Sequence, residues 1–290
     1  MKHAYLIIAH NEFKVLECLI RALDDVRNDI YIHFDRKLKK FPVFRTQHAG
    51  LTIVMERVDV HWGDLSVVEA EYALFEAAYE EGEGGYDYYH LLSGVDMPLK
   101  SQDYIHDFFD HRQGKEFIGY HQWNIDAYLS RTMQRYHLFP KHFRAEKGWK
   151  DLGRKFLRAA YLRLQIVLGI KRNRNIAFKK GTQWISITSD LVAYLLERKK
   201  QVLEIWHHTY CCDEVFVQTI CRDSPFWDRI YDPYDEGRGC MRMINWKDNQ
   251  LKVWEEKDFD ALMQSDALFA RKFSSEHINV VNNILNTITQ

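Results

Sequence analysis

Tyr88-Tyr89-His90-Leu91-Leu92-Ser93-Gly94-Val95-Asp96-Met97-Pro98-Leu99-Lys100 is the stretch on which the reading of the chain turns. Its first half is aromatic and apolar, as expected of a strand buried on both faces. Ser-Gly-Val-Asp then breaks the run with small and polar residues. Beyond Pro98 and Ser101, the apolar residues Ile105, Phe108 and Phe109 recur at helical spacing. Open α/β sheets bind ligands where strands end and the chain turns toward a helix. Asp96 stands at such an edge. Taken alone the stretch is an ordinary strand-to-helix turn, and only its surroundings give Asp96 a role.

The same grammar recurs on the N-terminal side. Residues 5–9 are an apolar run and read as a first strand, ended by His10-Asn11, with Asn11 as helix N-cap. Phe13, Leu16, Leu19, Ile20 and Leu23 follow at helical spacing. Residues 30–34 form a second strand closed by Asp35-Arg36, and residues 51–55 a third. Strand–helix–strand order of this kind builds a parallel sheet, and it puts His10 and Asp35 at strand ends. For each of them a cap or a surface ion pair is the plainer account. Ser66 and Glu69 have the spacing of a capping box, ahead of a helix whose core face is Val68, Tyr72, Phe75 and Tyr79.

On the C-terminal side, residues 116–120 read as a further strand. Between residues 122 and 142, aromatics alternate with Arg131, Arg135 and His137, which suits either a polar-ligand contact or a solvated face. Gly181-Thr182-Gln183-Trp184 is a glycine turn feeding a strand, and Leu191, Val192, Leu195 and Leu196 start the helix after it. Asp213-Glu214 opens a helix, where a carboxylate is stabilised by the helix N-terminus. Glu214 is then a candidate general base toward a hydroxyl, set against plain stabilisation of the helix dipole. Residues 257–290 are expected as a C-terminal helical extension of a single domain covering residues 1–290.

Bulk properties narrow the classes. The 290 residues can bury a sizeable core, and a net charge of −1 provides no whole-chain field for nucleic acid or membrane. Locally the balance differs: residues 141–180 hold thirteen Lys or Arg against Glu146 and Asp151. Within that segment, residues 150–174 read as a basic amphipathic helix. A helix packed on the domain is the first account of it, an anionic membrane surface the second, and nucleic acid, without an accompanying motif, the weakest. The 5 cysteines are an odd number without a CxxC pair, which argues for a reducing compartment. Residues 4–9 are too short and poorly flanked for a signal peptide, and no apolar run spans a bilayer. The expectation is a soluble, cytoplasmic chain with an option of peripheral contact at the inner membrane face.

Taken in order, these blocks resemble the core-2/I-branching β-1,6-N-acetylglucosaminyltransferase and peptide O-xylosyltransferase family. The similar stretches are Ala4 through His10, Tyr31 through Lys37, Trp62-Gly63-Asp64-Leu65-Ser66, and His90 through Lys100. Gly181 through Trp184, Asp213-Glu214-Val215-Phe216 and Leu268-Phe269-Ala270-Arg271-Lys272-Phe273 complete the set. The resemblance implies a GT-A-type fold with a mostly parallel central sheet flanked by helices. It also implies inverting transfer of a sugar, N-acetylglucosamine or xylose foremost, from a UDP-sugar to a hydroxyl of a glycan acceptor. No divalent metal and no other cofactor is implied, because Ser93-Gly94-Val95-Asp96 stands near the place of the Asp-x-Asp motif of metal-dependent relatives. Glu214 matches the family's catalytic glutamate and Lys272 its phosphate-binding lysine. A second, arginine phosphate ligand has no clean counterpart, and Arg242, Lys252 and Arg271 are its candidates. His10, Asp35 and Asp96 complete the donor set, and Trp184, Arg131, Arg135 and Asp213 are expected on the acceptor side. The resemblance leads to the expectation of a bacterial-type member, without the anchor and cysteine pairs of the animal Golgi enzymes. The basic segment adds a lipid-linked acceptor to the expectation.

Two readings from other classes compete. A zinc site would use His207, His208, Cys211, Cys212 and Asp213, with His207 and Cys211 on one helical face if the helix persists that far. A non-catalytic glycan- or membrane-binding protein would account for the 8 Trp and 16 Tyr.

Overall fold

Four apolar runs become neighbouring parallel strands: β1 (His3–Ala9), β2 (Asn28–Phe34), β3 (Gly50–Ile53) and β4 (Tyr88–Ser93). The computed structural model describes residues 1–144, 148–247 and 250–289. The sheet order is β3-β2-β1-β4-β6, with β6 (Ser186–Thr188) antiparallel on β4 at one edge. From β1 the chain steps outward through β2 and β3, then returns to lay β4 on the other side of β1. That reversal is a topological switch point, and it opens a crevice beyond the carboxyl ends of β1 and β4.

Helices cover both faces, so β1, β2 and β4 are buried on both sides, as their unbroken apolar runs require. On one face α2 (Ser66–Glu81), α6 (Ser189–Glu197), α7 (Lys199–Trp206) and α8 (Phe216–Arg222) enclose a core that includes Tyr72, Phe75, Leu91, Ile187, Leu195 and Phe216. On the other, α1 (Phe13–Ala22), α3 (Gln102–Asp110), α10 (Phe259–Gln264) and α11 (Ile278–Ile288) enclose Leu16, Leu19, Leu92, Phe109, Phe269 and Val281. Two further helices, α4 (Asp126–Met133) and α5 (Trp149–Val167), lie in the connection between α3 and β6, and α9 (Glu236–Cys240) follows α8.

A second sheet closes the crevice. Its order is β5 (Asp96–Pro98), β10 (Phe269–Arg271), β7 (Arg242–Ile244), with β10 antiparallel to β5 and parallel to β7. A short pair, β8 (Trp246–Lys247) and β9 (Gln250–Leu251), flanks it. The expected fold class holds: a parallel-rich sheet between helical layers, with α10 and α11 as C-terminal helices. Those helices are not an appendage, however. Between them β10 is the central strand of the second sheet, and α11 packs on α1.

Several local expectations are corrected. Asn11 does not cap α1. The N-cap is Glu12, in the left-handed region at φ 54°, and its carboxylate accepts from Ser275 N at 2.7 Å and Ser275 Oγ at 2.6 Å. The tertiary contact with residues 274–275 takes the place of a local cap. Ser66 and Glu69 form no capping box, because Ser66 is already inside α2 and its Oγ accepts from His61 N at 2.9 Å. Residues 116–120 make only isolated bridges, Glu116 to Ile230 and Phe117 to Ser186. The segment leaves the sheet where Gly119 is pressed against Gly181, whose Cβ would lie 1.8 Å from Gly119 O. Asp213 and Glu214 belong to a 3₁₀ turn, Cys212–Glu214, just ahead of α8. Residues 150–174 do hold a helix, α5, held to the domain as the first account has it, but through a largely polar side, with most of its apolar residues facing outward. Glu146 lies outside the described residues.

Candidate active site

The crevice is built first by the ends of β1 and β2. Asp35, buried directly after β2, donates its backbone N–H to Ala9 O at 3.1 Å, which ties the two strand ends together. Its carboxylate is held by Lys37, through the backbone N–H at 2.8 Å and through Nζ at 2.9 Å. His10 stands exposed beside it. Although the residue meets solvent, the protein around it partly desolvates the His10 imidazole and pushes it below its usual range; Asp35 opposes this, and the cations Lys272, Arg144 and Lys37 add to it. Three positive side chains therefore converge on the end of β1.

The turn after β4 completes the rim. Gly94 N donates to Ile8 O at 3.0 Å, and a Cβ at Gly94 would lie 3.2 Å from Ala9 Cβ. The close approach of the two strand ends favours glycine there. Asp96 is buried and folds back on Ser93, accepting from Ser93 N at 2.9 Å and Ser93 Oγ at 2.7 Å. In the second sheet Asp96 is the register partner of Arg271, whose Nε lies 3.6 Å from Asp96 Oδ1. The Arg271 guanidinium also sits 4.0 Å over the Trp184 ring, a cation–π stack. Burial lowers its proton affinity, while Asp96 and Glu214 both act against that. One guanidinium thus senses the β4 turn and the Glu214 turn together. Next to it, Lys272 is half-buried, and Phe273 N donates to Val95 O at 2.9 Å, which keeps this segment against the β4 turn.

The other two basic candidates are engaged within the chain, although Lys252 lies beside the rim, its backbone O accepting from Lys272 N at 3.4 Å. Lys252 Nζ pairs with Asp258 at 2.6 Å and lies 4.6 Å over the Trp254 ring. Arg242 is buried between the two sheets, 4.6 Å over Phe269. Its Nη2 donates to Ile185 O at 2.8 Å and Ser186 Oγ at 2.9 Å, and its Nη1 to Cys240 O. Both terminal nitrogens are engaged by the chain itself rather than turned to the rim, while the buried Nε has no hydrogen-bond partner.

Across the crevice, Glu214 pairs with Lys180, and Gly181 N donates to Glu214 O at 2.9 Å. Gln218 Nε2 donates to Thr182 O at 2.7 Å, so the 181–184 and 213–218 blocks are laced together. Asp213 is half-buried, with Oδ1 sealed from solvent and lacking a hydrogen-bond partner. Burial and the neighbouring Glu214 charge push its carboxyl up to about 7. Beneath it Glu71, fully buried on α2, accepts from Gln183 Nε2 at 2.6 Å and is also pushed well above the carboxylate range by burial and by Asp213. The Tyr128 hydroxyl is raised chiefly by burial, with Cys211 and Glu214 adding to it. Arg131 is exposed on α4, and Arg135 donates to Ile170 O at 2.6 Å, bracing the chain after α5.

His10, Asp35, Asp96, Arg271 and Lys272 are therefore gathered at one rim, with Trp184 beneath and Glu214 and Asp213 opposite. Sequence reasoning missed Lys180, Glu71, Arg144 and Tyr128. A signal existed only for Glu71, an acid on the core-facing side of an amphipathic helix between Val68 and Tyr72. The zinc arrangement does not form. Helix α7 ends at Trp206, so His207 and Cys211 do not share a helical face, and among the described residues no group of three or more His, Cys, Asp or Glu is arranged to hold a metal ion.

The family model described as Core-2/I-Branching enzyme matches residues 3–271. Xylosyltransferase 2 of Canis lupus familiaris is 21% identical over 94% of this chain and 32% of its own length. Xylosyltransferase 1 of Rattus norvegicus is 19% identical over 94% of the chain and 33% of its own. The chain thus spans about a third of the length of these relatives. Among solved structures, apo mouse xyloside xylosyltransferase 1 is similar over 93% of this chain and 97% of that one, with 11% identity and a TM-score of 0.38, too distant to carry weight.

Proposed function

This chain belongs to the Core-2/I-Branching enzyme family, and from that premise we propose that it is an inverting glycosyltransferase that moves a sugar from a UDP-sugar to a hydroxyl of a glycan acceptor. N-acetylglucosamine and xylose are the first donor sugars to consider. The observation that carries the reading is the position of Arg271, in register with Asp96, stacked on Trp184 and within the field of Glu214. Leaving-group charge and acceptor hydroxyl would then meet in one crevice.

In the proposed step the acceptor oxygen attacks the anomeric carbon from the face opposite the diphosphate. A new C–O bond forms as the bond from the anomeric carbon to the β-phosphate oxygen breaks. The bonding pair leaves with UDP, and the hydroxyl proton passes to Glu214. Base assistance of this kind contributes about 10²–10⁴ in rate. The departing charge falls to Lys272, with Arg271 behind it, since fixed positive charge aimed at developing negative charge is often the largest catalytic effect. His10 and Asp35 would line the nucleotide at the β1 and β2 ends, and Trp184 and Asp213 would border the acceptor. Fixed cations take the role a divalent ion has elsewhere, so turnover should persist in excess chelator. A lipid-linked glycan is the acceptor form that the basic segment around α5 favours.

The test is a thermal-shift and calorimetric panel of UDP-N-acetylglucosamine, UDP-xylose, UDP and ADP in chelator. The reading expects stabilisation by UDP and by at least one UDP-sugar, but none by ADP. Binding that appears only when manganese is added would overturn the metal-free part, and absence of any uridine-nucleotide binding would overturn the whole.

A further inference from the structure

Helix α5 is turned inside out. Its inner side carries the buried Asp151, Leu162 and Gln165, with Arg158 half-buried among them. Its outer side is apolar: Trp149 is 81% exposed, Phe156 71% and Val167 82%, and Leu152 and Leu164 are exposed beside them. At 100° per residue these five positions fall on one face. A surface helix of a globular domain shows the opposite arrangement, apolar side in and charged side out.

Polar contacts hold the inner side to the domain. Gln165 and Tyr136 exchange two hydrogen bonds, Oε1 accepting from Tyr136 N at 2.9 Å and Nε2 donating to Tyr136 O at 2.9 Å. Arg158 donates to Leu138 O at 3.2 Å and His142 O at 3.0 Å, and lies 4.9 Å over Phe143. Gln165 and Arg158 are satisfied by backbone of the domain, so the helix is fixed in this orientation rather than awaiting a rotation. Among the described residues the outward face is the unpartnered one, and contiguous exposed apolar surface marks an interaction site.

The charge around the stripe selects the occupant. Lys150, Lys155 and Arg163 on the helix, and Lys171 and Arg174 just after it, are all exposed. Asp151 is the only acid among the described residues from 148 to 180; it is buried and pairs with Lys155 at 2.8 Å. Lys150 and Lys155 border the stripe, and Arg163 stands within it on a stem long enough to carry its charge to the interface; such a face complements a surface that is apolar within and anionic at its edge, which describes the headgroup region of an acidic bilayer. Among the described residues, no helix is long and apolar enough to cross a membrane, so the matching geometry is a helix lying in the surface plane.

We propose that α5 docks in the surface of an anionic lipid bilayer, with Trp149, Phe156 and Val167 at the acyl boundary and the flanking cations at the lipid phosphates. The proposal stands on the exposure and charge of this helix and does not depend on the sugar-transfer reading. It also has a consequence for the crevice. Arg158 covers Phe143, and Phe143 packs edge-on against Tyr210 with ring centroids 4.6 Å apart, a few residues before Glu214. Arg158 and Phe143 therefore link the docked helix to the turn that carries Glu214.

The experiment is co-flotation of the full chain with vesicles of phosphatidylcholine alone and of phosphatidylcholine with phosphatidylglycerol. The expected result is recovery with the acidic vesicles, falling as salt is raised, and little with the neutral ones. The double variant Phe156→Glu/Val167→Glu should bind at least about tenfold more weakly. Neutralising Lys150, Arg163 and Lys171 to Gln should weaken binding by about fivefold per charge. Both variants alter exposed side chains, so circular dichroism and melting temperature should match the parent. Absence of co-flotation would overturn the proposal, as would binding that the double variant leaves unchanged or equal recovery with neutral vesicles. A dimer seen by sedimentation velocity and dissolved by Phe156→Glu, with no lipid binding, would instead assign the face to a second copy of the chain.

Discussion

Glu214→Gln keeps the shape of the side chain and removes its charge and its basicity, so it separates two effects of very different size. The structural cost is small. Lys180 and Glu214 form a pair at the crevice edge, their side chains 20% and 34% exposed. Ion pairs open to water to this degree contribute roughly 0–1 kcal/mol. For a chain of this length that corresponds to a melting shift of no more than about 2–4 °C. The chemical cost is large if Glu214 takes the hydroxyl proton: kcat should fall by about 10²–10⁴, or roughly 2.7–5.5 kcal/mol of barrier. The assay is UDP release from UDP-N-acetylglucosamine and UDP-xylose in the presence of a glycan acceptor, with UDP affinity measured alongside by calorimetry. The expected pattern is lost turnover, retained UDP affinity and a nearly unchanged melt. Turnover within about threefold of the parent, less than about 0.7 kcal/mol of barrier, with an intact fold would refute the base assignment.

Three further substitutions test the crevice from other sides. Lys272→Ala removes a cation beside His10 and the β4 turn, and calorimetry should find UDP binding weaker by about 10- to 100-fold with the melt unchanged. Gly181→Ala would put a Cβ 1.8 Å from Gly119 O, backbone against backbone, so the chain should lose at least about 1–3 kcal/mol in a denaturant titration. That loss should come with weakened activity, because Gly181 N also holds Glu214 O. Asp213→Asn carries a signed pH dependence. The Asp213 carboxyl is pushed up to about 7 in the folded chain, so folding favours its protonated form. Its ionisation costs nothing at pH values below the ordinary carboxylate range, and the cost grows until the pH passes about 7. The variant should therefore gain melting temperature relative to the parent on going from about pH 5 to about pH 8, and a constant difference would contradict the burial of that group.

Strand ends were the most legible part of the molecule. His10, Asp35 and Asp96 each follow or close an apolar run, and all three stand at the crevice rim. Period and run length suffice for this, because a strand buried on both faces has little choice but to be apolar throughout. Boundaries fared worse wherever a distant group replaced a local one. Glu12 rather than Asn11 precedes α1 because its carboxylate is engaged by residues 274–275. Residues 116–120 have strand composition, yet the approach of Gly119 to Gly181 takes them out of the ladder. For α5 the periodicity predicts the helix but not which of its faces turns inward. A hydrophobic stripe alone carries no information about which side meets the domain, and here Gln165 and Arg158 decided it through backbone contacts.

The order of blocks along the chain was enough to identify the family and the parallel-rich sheet, since both depend on local pattern and sequence order. Which cation faces which acid was not accessible in that way. Arg242, Lys252 and Arg271 are equivalent as residue types, and the tertiary structure separates them. Arg242 is locked between sheets, Lys252 is matched to Asp258, and Arg271 is set by strand register against Asp96 and by stacking on Trp184. The physical reason is that register and burial are collective properties. They depend on residues 96, 184 and 271 arriving together from different parts of the chain, and the interaction energy of a charge is decided by that company rather than by its own identity.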